Sequence, residues 1–222
     1  MCGTDHPHHH DHGRFGFLVD TPEIRALIDE TRRLMEEIDD DALRVERLKT
    51  AFGTLLSADG WLPDACANPD ATSRMGQGIG QYALYRAENG SLTLFSLVIP
   101  VGAATPVHDH LAWGLVGVYR GTQDEVVYRR LDDGRDVAHA DLEIARQHTL
   151  ERGEFYPLLP PLDDIHYVRT TSDMPSISIH LLANDTACVW RHKFEPASGV
   201  VTAFRSGYAN APCPDDPAAP HE

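Results

Sequence analysis

The apolar positions of this chain change period once, from helical spacing near the N-terminus to two-residue alternation from Gly80 onward. Thr21-Pro22-Glu23 predicts a helix start, with a hydroxyl N-cap and proline at the first helical position. Ile24, Leu27, Ile28, Leu34 and Ile38 follow at helical spacing. A second helix is predicted from about Asp40 to Leu56, with Leu43, Leu48, Phe52 and Leu55 on its apolar stripe. Residues 59–75, rich in Pro, Asp and Asn, read as a connecting loop.

From Gly80 the segments near 80–87, 91–99, 107–119, 124–130, 154–159, 165–170, 176–182, 188–194 and 200–204 read as short strands, separated by Gly, Asp, Asn and Pro. Many short strands with closely spaced turn signals predict a sandwich or barrel. The expected organisation is a single domain: a disordered His-rich head (1–20), a helical cap (21–58), a β-barrel (59–208) and a flexible tail (209–222).

Composition narrows the partners. At 222 residues, with 42% hydrophobic and 24% charged positions, the chain suits one globular domain with a substantial core. Its net charge of −15 argues against nucleic acid or an anionic membrane as partner. No apolar run approaches the roughly 18 residues of a membrane span, and no apolar signal core opens the chain, so a cytoplasmic location is expected. Cys2, Cys66, Cys188 and Cys213 lack CxxC spacing and predict neither a disulfide framework nor a zinc knuckle. The head carries His6, His8, His9, His10 and His12; such a tract scavenges divalent metals or is a tail with no catalytic part.

The candidate chemistry centres on Thr105-Pro106-Val107-His108-Asp109-His110-Leu111-Ala112-Trp113-Gly114. Two histidines one residue apart in a strand-like segment project from the same face, close enough to share a metal ion. Gly102 and Gly121 bracket them. A further histidine, His166, follows in Pro161-Leu162-Asp163-Asp164-Ile165-His166. In Ser176-Ile177-Ser178-Ile179-His180-Leu181-Leu182, Ile177, Ile179 and Leu181 face one way while Ser178, His180 and Leu182 face the other. That polar face either lines a wet or liganded interior or meets solvent; alternation fits both.

Gly102-x5-His108-x-His110 with Gly121 resembles the first cupin motif, and Pro161-x-Asp163-x2-His166 the second, with Asp in place of the usual Gly. The glutamate expected near position 114 is Gly114 here, which leaves a three-His site of His108, His110 and His166. Together with the Ser178-x-His180 strand, Arg191-His192 and the closing Phe204-Arg205-Ser206-Gly207-Tyr208, the pattern from Gln81 to Tyr208 is similar to the cupin thiol dioxygenases. The match points to the 3-mercaptopropionate dioxygenase branch, related to cysteine dioxygenase.

That resemblance implies a cupin jelly-roll barrel and an Fe(II) cofactor. It implies a small-molecule thiol as substrate and insertion of both atoms of O2 to give a sulfinate. A third neutral imidazole in place of a carboxylate leaves the iron more cationic, which favours an anionic thiolate. Ser178 and His180 match the Ser-x-His part of the family's Ser-His-Tyr relay, but the tyrosine falls at Leu182. Tyr85 or Tyr167 is a candidate substitute for its hydroxyl. No cysteine lies near 114–116, so the Cys–Tyr crosslink of mammalian cysteine dioxygenases is absent.

Gln81 and Arg191 match substrate-binding positions of the mercaptopropionate branch. An arginine grips a carboxylate through two hydrogen bonds, whereas a glutamine only hydrogen-bonds it, which favours a thiol acid without an α-amino group. Packing roles for Gln81, Arg191 and Trp113 fit the same sequence, and His139, His148 and His192 fall outside ligand spacing. Two alternatives remain open because of Leu182: a three-His cupin dioxygenase with a different small substrate, or a metal- or ligand-binding cupin without turnover.

Overall fold

In a computed structural model, residues 15–216 are described; the histidines of the head and residues 217–222 lie outside them. A short strand β1 (Gly16–Phe17) precedes two helices, α1 (Pro22–Glu37) and α2 (Asp41–Ser57). Thr21 caps α1 by accepting from the Ile24 amide, and Asp40 caps α2 by accepting from Leu43 at 2.8 Å. A single 3-10 turn (Asp64–Cys66) interrupts the loop that follows. Eleven further strands complete the fold: β2 (Gly80–Arg86), β3 (Thr93–Ile99), β4 (Val107–His108), β5 (Gly114–Arg120), β6 (Gln123–Arg130), β7 (Leu142–Leu150), β8 (Phe155–Leu158), β9 (Ile165–Thr170), β10 (Ser176–Leu182), β11 (Arg191–Glu195) and β12 (Val200–Phe204).

The strands form two six-stranded antiparallel sheets, ordered β1-β2-β3-β10-β5-β8 and β12-β11-β4-β9-β6-β7. Strands adjacent in sequence often lie in different sheets, the jelly-roll way of closing β structure into a barrel. The expected fold class, all-β with N-terminal helices, is therefore the one observed. No helix among the described residues is long and apolar enough to cross a membrane.

The helices cover the outer face of the first sheet. Ile24, Leu27, Leu48, Phe52 and Leu56 pack with Leu94, Leu115, Ile177, Ile179 and Leu181 in one core, which also holds Trp113. The opposite face of that sheet forms a second core with Phe95, Val116, Val118, Val168 and Leu182. Strand β10 is buried on both faces, with Ile177, Ile179 and Leu181 toward the helices. The period-two rule then turns Ser178, His180 and Leu182 into the barrel. This resolves the ambiguity of the alternation in favour of the interior.

Four features depart from the sequence expectations. The predicted strand at 107–119 is two strands in different sheets, separated by a loop in which Leu111 takes φ +56°. His108 and His110 therefore do not share one strand face; His108 ends β4 and His110 sits in the crossing loop. Strand β7 carries no apolar alternation because it is an exposed sheet edge, so it left no periodic signal. Cys188 and Cys213 form a disulfide across 25 residues, against the expectation of no framework. Residues 209–216 are tied to the barrel: Ala209 donates to the Gln81 carbonyl, and Asn210 exchanges hydrogen bonds with the Ala83 backbone.

Candidate metal centre

His108 and His166 are directly opposed on the adjacent strands β4 and β9. The loop after β4 brings in His110, because Asp164 at the start of β9 accepts from the amides of His110 (2.8 Å) and Leu111 (3.1 Å). The result is a nearly equilateral triangle of imidazoles, each pair of ring centroids 4.8 Å apart. All three are buried, and their ligand nitrogens lie within 4.8 Å of one another.

The outward nitrogen of each ring has a partner. His108 Nδ1 is 2.9 Å from the Pro106 carbonyl, His110 Nδ1 3.3 Å from the Asp164 carbonyl, and His166 Nδ1 2.7 Å from Glu125 Oε1. An acceptor at Nδ1 fixes the tautomer and leaves Nε2 as a lone-pair donor. His166 Nε2 is buried with no hydrogen-bond partner, a cost that a metal ion would remove. Burial holds His108 well below the ordinary imidazole range, helped by the charge of Arg191 and the neighbouring imidazoles. His110 is lowered chiefly by burial as well. Neutral imidazoles are the ligating form, so the three residues fit a metal ion.

Beside this triangle, His180 lies with its ring 6.3 Å from that of His110 and stacks on Phe95 at 4.5 Å. Its Nε2 is 3.0 Å from Ser178 Oγ. The Gln123 amide donates to Ser176 Oγ at 2.9 Å and to Ser178 Oγ at 3.4 Å. Ser178 thus receives a donor from one side and has its own proton free for His180 Nε2. That arrangement puts the imidazole proton on Nδ1, which is buried without a partner. Burial first, then His110, His166 and Arg191, keep His180 well below its ordinary value.

Leu182 is fully buried in the inner core and offers no hydroxyl. Neither proposed substitute faces the centre. Tyr85 packs on the helix side, where its hydroxyl meets Arg32 and its ring Phe17. Tyr167 lines an open surface cavity of about 430 Å³ with Asp124 and Arg169. The tyrosine at the triangle is Tyr156, whose hydroxyl is 3.2 Å from His166 Nδ1.

Gln81 is buried with its Nε2 unpartnered, and it lines a cavity of about 210 Å³ with Arg74, Ser206 and Tyr208. Arg191 is spoken for by the protein: it donates to Thr186 O (2.9 Å), Asp109 O (2.7 Å) and Ser206 Oγ (3.1 Å) over the Phe204 ring. Burial lowers its pKa to about 10 despite Asp109 and Asp164. It remains a cation, so it acts on the centre through its field rather than as an open fork.

Glu125, like Asp164, is a residue that sequence reasoning missed. Its buried carboxylate bridges His166 Nδ1 and His148 Nε2, the latter 2.7 Å from Oε2. Burial pushes its pKa up, but His148, His166 and Tyr156 outweigh that and bring it to about 2. The available signal was phase: Gln123 and Glu125 share the inward face of β6 with Val127. Of the other histidines, His192 pairs with Asp109 at 2.7 Å and the exposed His139 lies beside Asp141.

No family model matches the chain. Among solved structures it is similar to an oxalate oxidase in complex with glycolate, at 14% identity over 58% of this chain and 62% of that one, with a TM-score of 0.40. A cupin superfamily protein from Desulfitobacterium hafniense matches at 11% identity over 48% and 78%, with a TM-score of 0.35. A cupin domain of a transcriptional regulator from Enterobacter cloacae matches at 19% identity over 47% and 94%, with a TM-score of 0.33. The chain spans 43% and 52% of two further oxalate oxidase chains that it matches. Two of these structures are named as cupins, and the described residues of the chain itself carry a three-histidine cluster able to hold a metal.

Proposed function

We propose that this chain is a mononuclear non-haem Fe(II) dioxygenase that oxidises a small thiol, preferably a thiol carboxylate, to its sulfinate with O2. The observation that carries the reading is the donor set: three buried imidazoles whose ligand nitrogens lie within 4.8 Å of one another, with no carboxylate among them. Iron held by His108, His110 and His166 would supply positions for a thiolate and O2, and both oxygen atoms end on sulfur.

The chain's own residues then have definite tasks. Arg191 places a buried positive charge beside the imidazoles of His108 and His110, which burial keeps uncharged, and this favours an anionic substrate. Ser178 fixes the His180 tautomer so that Nδ1–H is free to donate to an acceptor atom of the substrate. Gln81 offers an unpaired amide donor at the neighbouring cavity. Phe95 and Leu182 keep the inner wall apolar, which strengthens these few polar contacts.

Leu182 favours one second reading, a three-His dioxygenase whose substrate is a different small molecule, since neither Tyr85 nor Tyr167 replaces the hydroxyl missing there. The test is O2 consumption by the iron-loaded protein across a panel containing 3-mercaptopropionate, cysteine and thiol-free analogues. Thiol-dependent uptake with sulfinate formation is expected. Uptake only with thiol-free compounds would move the assignment to the second reading. His166→Ala should abolish iron retention, and retention at the original level would refute the ligand set.

A further inference from the structure

A cluster of three side chains behind His166 stands outside every role assigned above. Glu125 lies in the interior with a side chain wholly shielded from solvent. One carboxylate oxygen is 2.7 Å from His166 Nδ1, and the other is 2.7 Å from Nε2 of the partly exposed His148 on the edge strand. The buried Tyr156 hydroxyl reaches the same point, 3.2 Å from His166 Nδ1, with the charge of the Glu125 carboxylate beside it. Of the three outward ring nitrogens in the centre, that of His166 meets a carboxylate oxygen at 2.7 Å; that of His110 is 3.3 Å from the Asp164 carbonyl and 3.6 Å from its carboxylate, and that of His108 meets a carbonyl.

We propose that Glu125 is a positioning residue that supplies, through His166, the negative charge the three-imidazole centre lacks among its ligands. A carboxylate hydrogen-bonded to the distal N–H of a ligating imidazole fixes the ring and makes it a stronger electron donor. The effect is largest where burial keeps water from screening the charge, as at Glu125. Tyr156 opposes it by drawing on the same carboxylate. The inference rests on the metal-site reading above but not on the thiol, because it concerns the resting metal alone.

The test uses ferrous iron and no thiol. Iron affinity, by competition with a chelator, and the Fe(III)/Fe(II) midpoint potential are measured for the original protein, Glu125→Gln and Tyr156→Phe. Glu125→Gln keeps the shape and removes the charge; it should weaken iron binding about 10- to 100-fold and raise the potential, because the ferric state loses more stabilisation. Tyr156→Phe releases the carboxylate to His166 and should lower the potential. A loosened pocket would not shift the two variants in opposite directions. An unchanged affinity and potential in Glu125→Gln overturns the proposal. If that variant does not fold, Tyr156→Phe decides: a lower potential supports it and an unchanged or higher one overturns it. Failure of the original protein to bind iron would instead refute the metal reading itself.

Discussion

Ser178 Oγ stands 3.0 Å from His180 Nε2, two residues apart on one strand and both turned into the barrel. Polar groups in that position would be costly if idle. Ser178 is satisfied by Gln123 and His180, whereas the other nitrogen of His180 has no partner at all. The pair is therefore a half-finished network with one open donor at the site.

Ser178→Ala should test the tautomer argument. Without the serine proton, His180 Nε2 loses its donor and the imidazole proton is free to sit on either nitrogen. Turnover is expected to fall about 10-fold or more, with iron content unchanged. Leu182→Tyr supplies the missing hydroxyl in a filled core, so it should cost about 1–3 kcal/mol of stability while raising thiol-dependent O2 uptake. Steady-state oxygen measurements on both variants check this; full activity in Ser178→Ala would remove the pair from the mechanism.

The metal-free protein should lose stability in acid from near neutrality. His108, His110 and His180 all sit below the ordinary imidazole value of 6.5, with burial the leading cause. Below pH 6.5 the unfolded chain takes up protons that the folded interior refuses, so stability falls as pH falls. Each imidazole contributes up to about 1.4 kcal/mol per pH unit, and three together at most about 4. Glu125 adds a later loss in the same sense, from the ordinary glutamate value of 4.5 down toward about 2. Denaturant unfolding at pH 7.5, 6.5 and 5.5 measures the slope; a flat profile would mean that the folded imidazoles are hydrated.

How legible these features were depended on whether chemistry travelled with period. The helices announced themselves through Thr21, Asp40 and their stripes, and the inner strands through alternation. The three histidines were found because each lies near a glycine- or proline-marked turn, although the geometry joining them is a sheet crossing rather than one strand face. Asp164 and Glu125 stayed hidden because their partners are 54 and 41 residues away, and nothing local marks a carboxylate that orients a distant ring. The edge strand Leu142–Leu150 was invisible for the opposite reason, since solvent imposes no alternation on it. The roles of Tyr85 and Tyr167 failed on direction, which sequence spacing does not give.

The disulfide makes a separate prediction. Cys213 bonds Cys188 in the turn after β10, whose Thr186 carbonyl receives Arg191 and whose Asp185 receives Arg86 and Tyr208. The bond thus secures the last described segment against the loop that positions Arg191. Cys213→Ser should lower unfolding stability by about 2–4 kcal/mol, with less effect on iron binding, because no ligand lies in that loop. Unfolding with and without reductant checks it; identical curves would show that the bond carries no stability.

Gly114 stands where the sequence resemblance leads one to expect a carboxylate, and its surroundings leave no room for one. The residue pairs with Leu182 across β5 and β10. A Cβ there would lie 2.1 Å from the Leu181 carbonyl oxygen and 2.7 Å from Leu182 Cδ2. The first of these is backbone, which cannot turn aside as a side chain can. Any side chain at 114 must push β10 away, and β10 carries Ser178 and His180. Gly114→Ala should therefore cost at least about 1–3 kcal/mol, and Gly114→Glu should fail to give a stably folded protein rather than a four-ligand centre. Thermal unfolding of both variants decides. A Gly114→Glu protein with the original stability would mean that the strand pair yields easily, and that the three-histidine set is not enforced by the backbone.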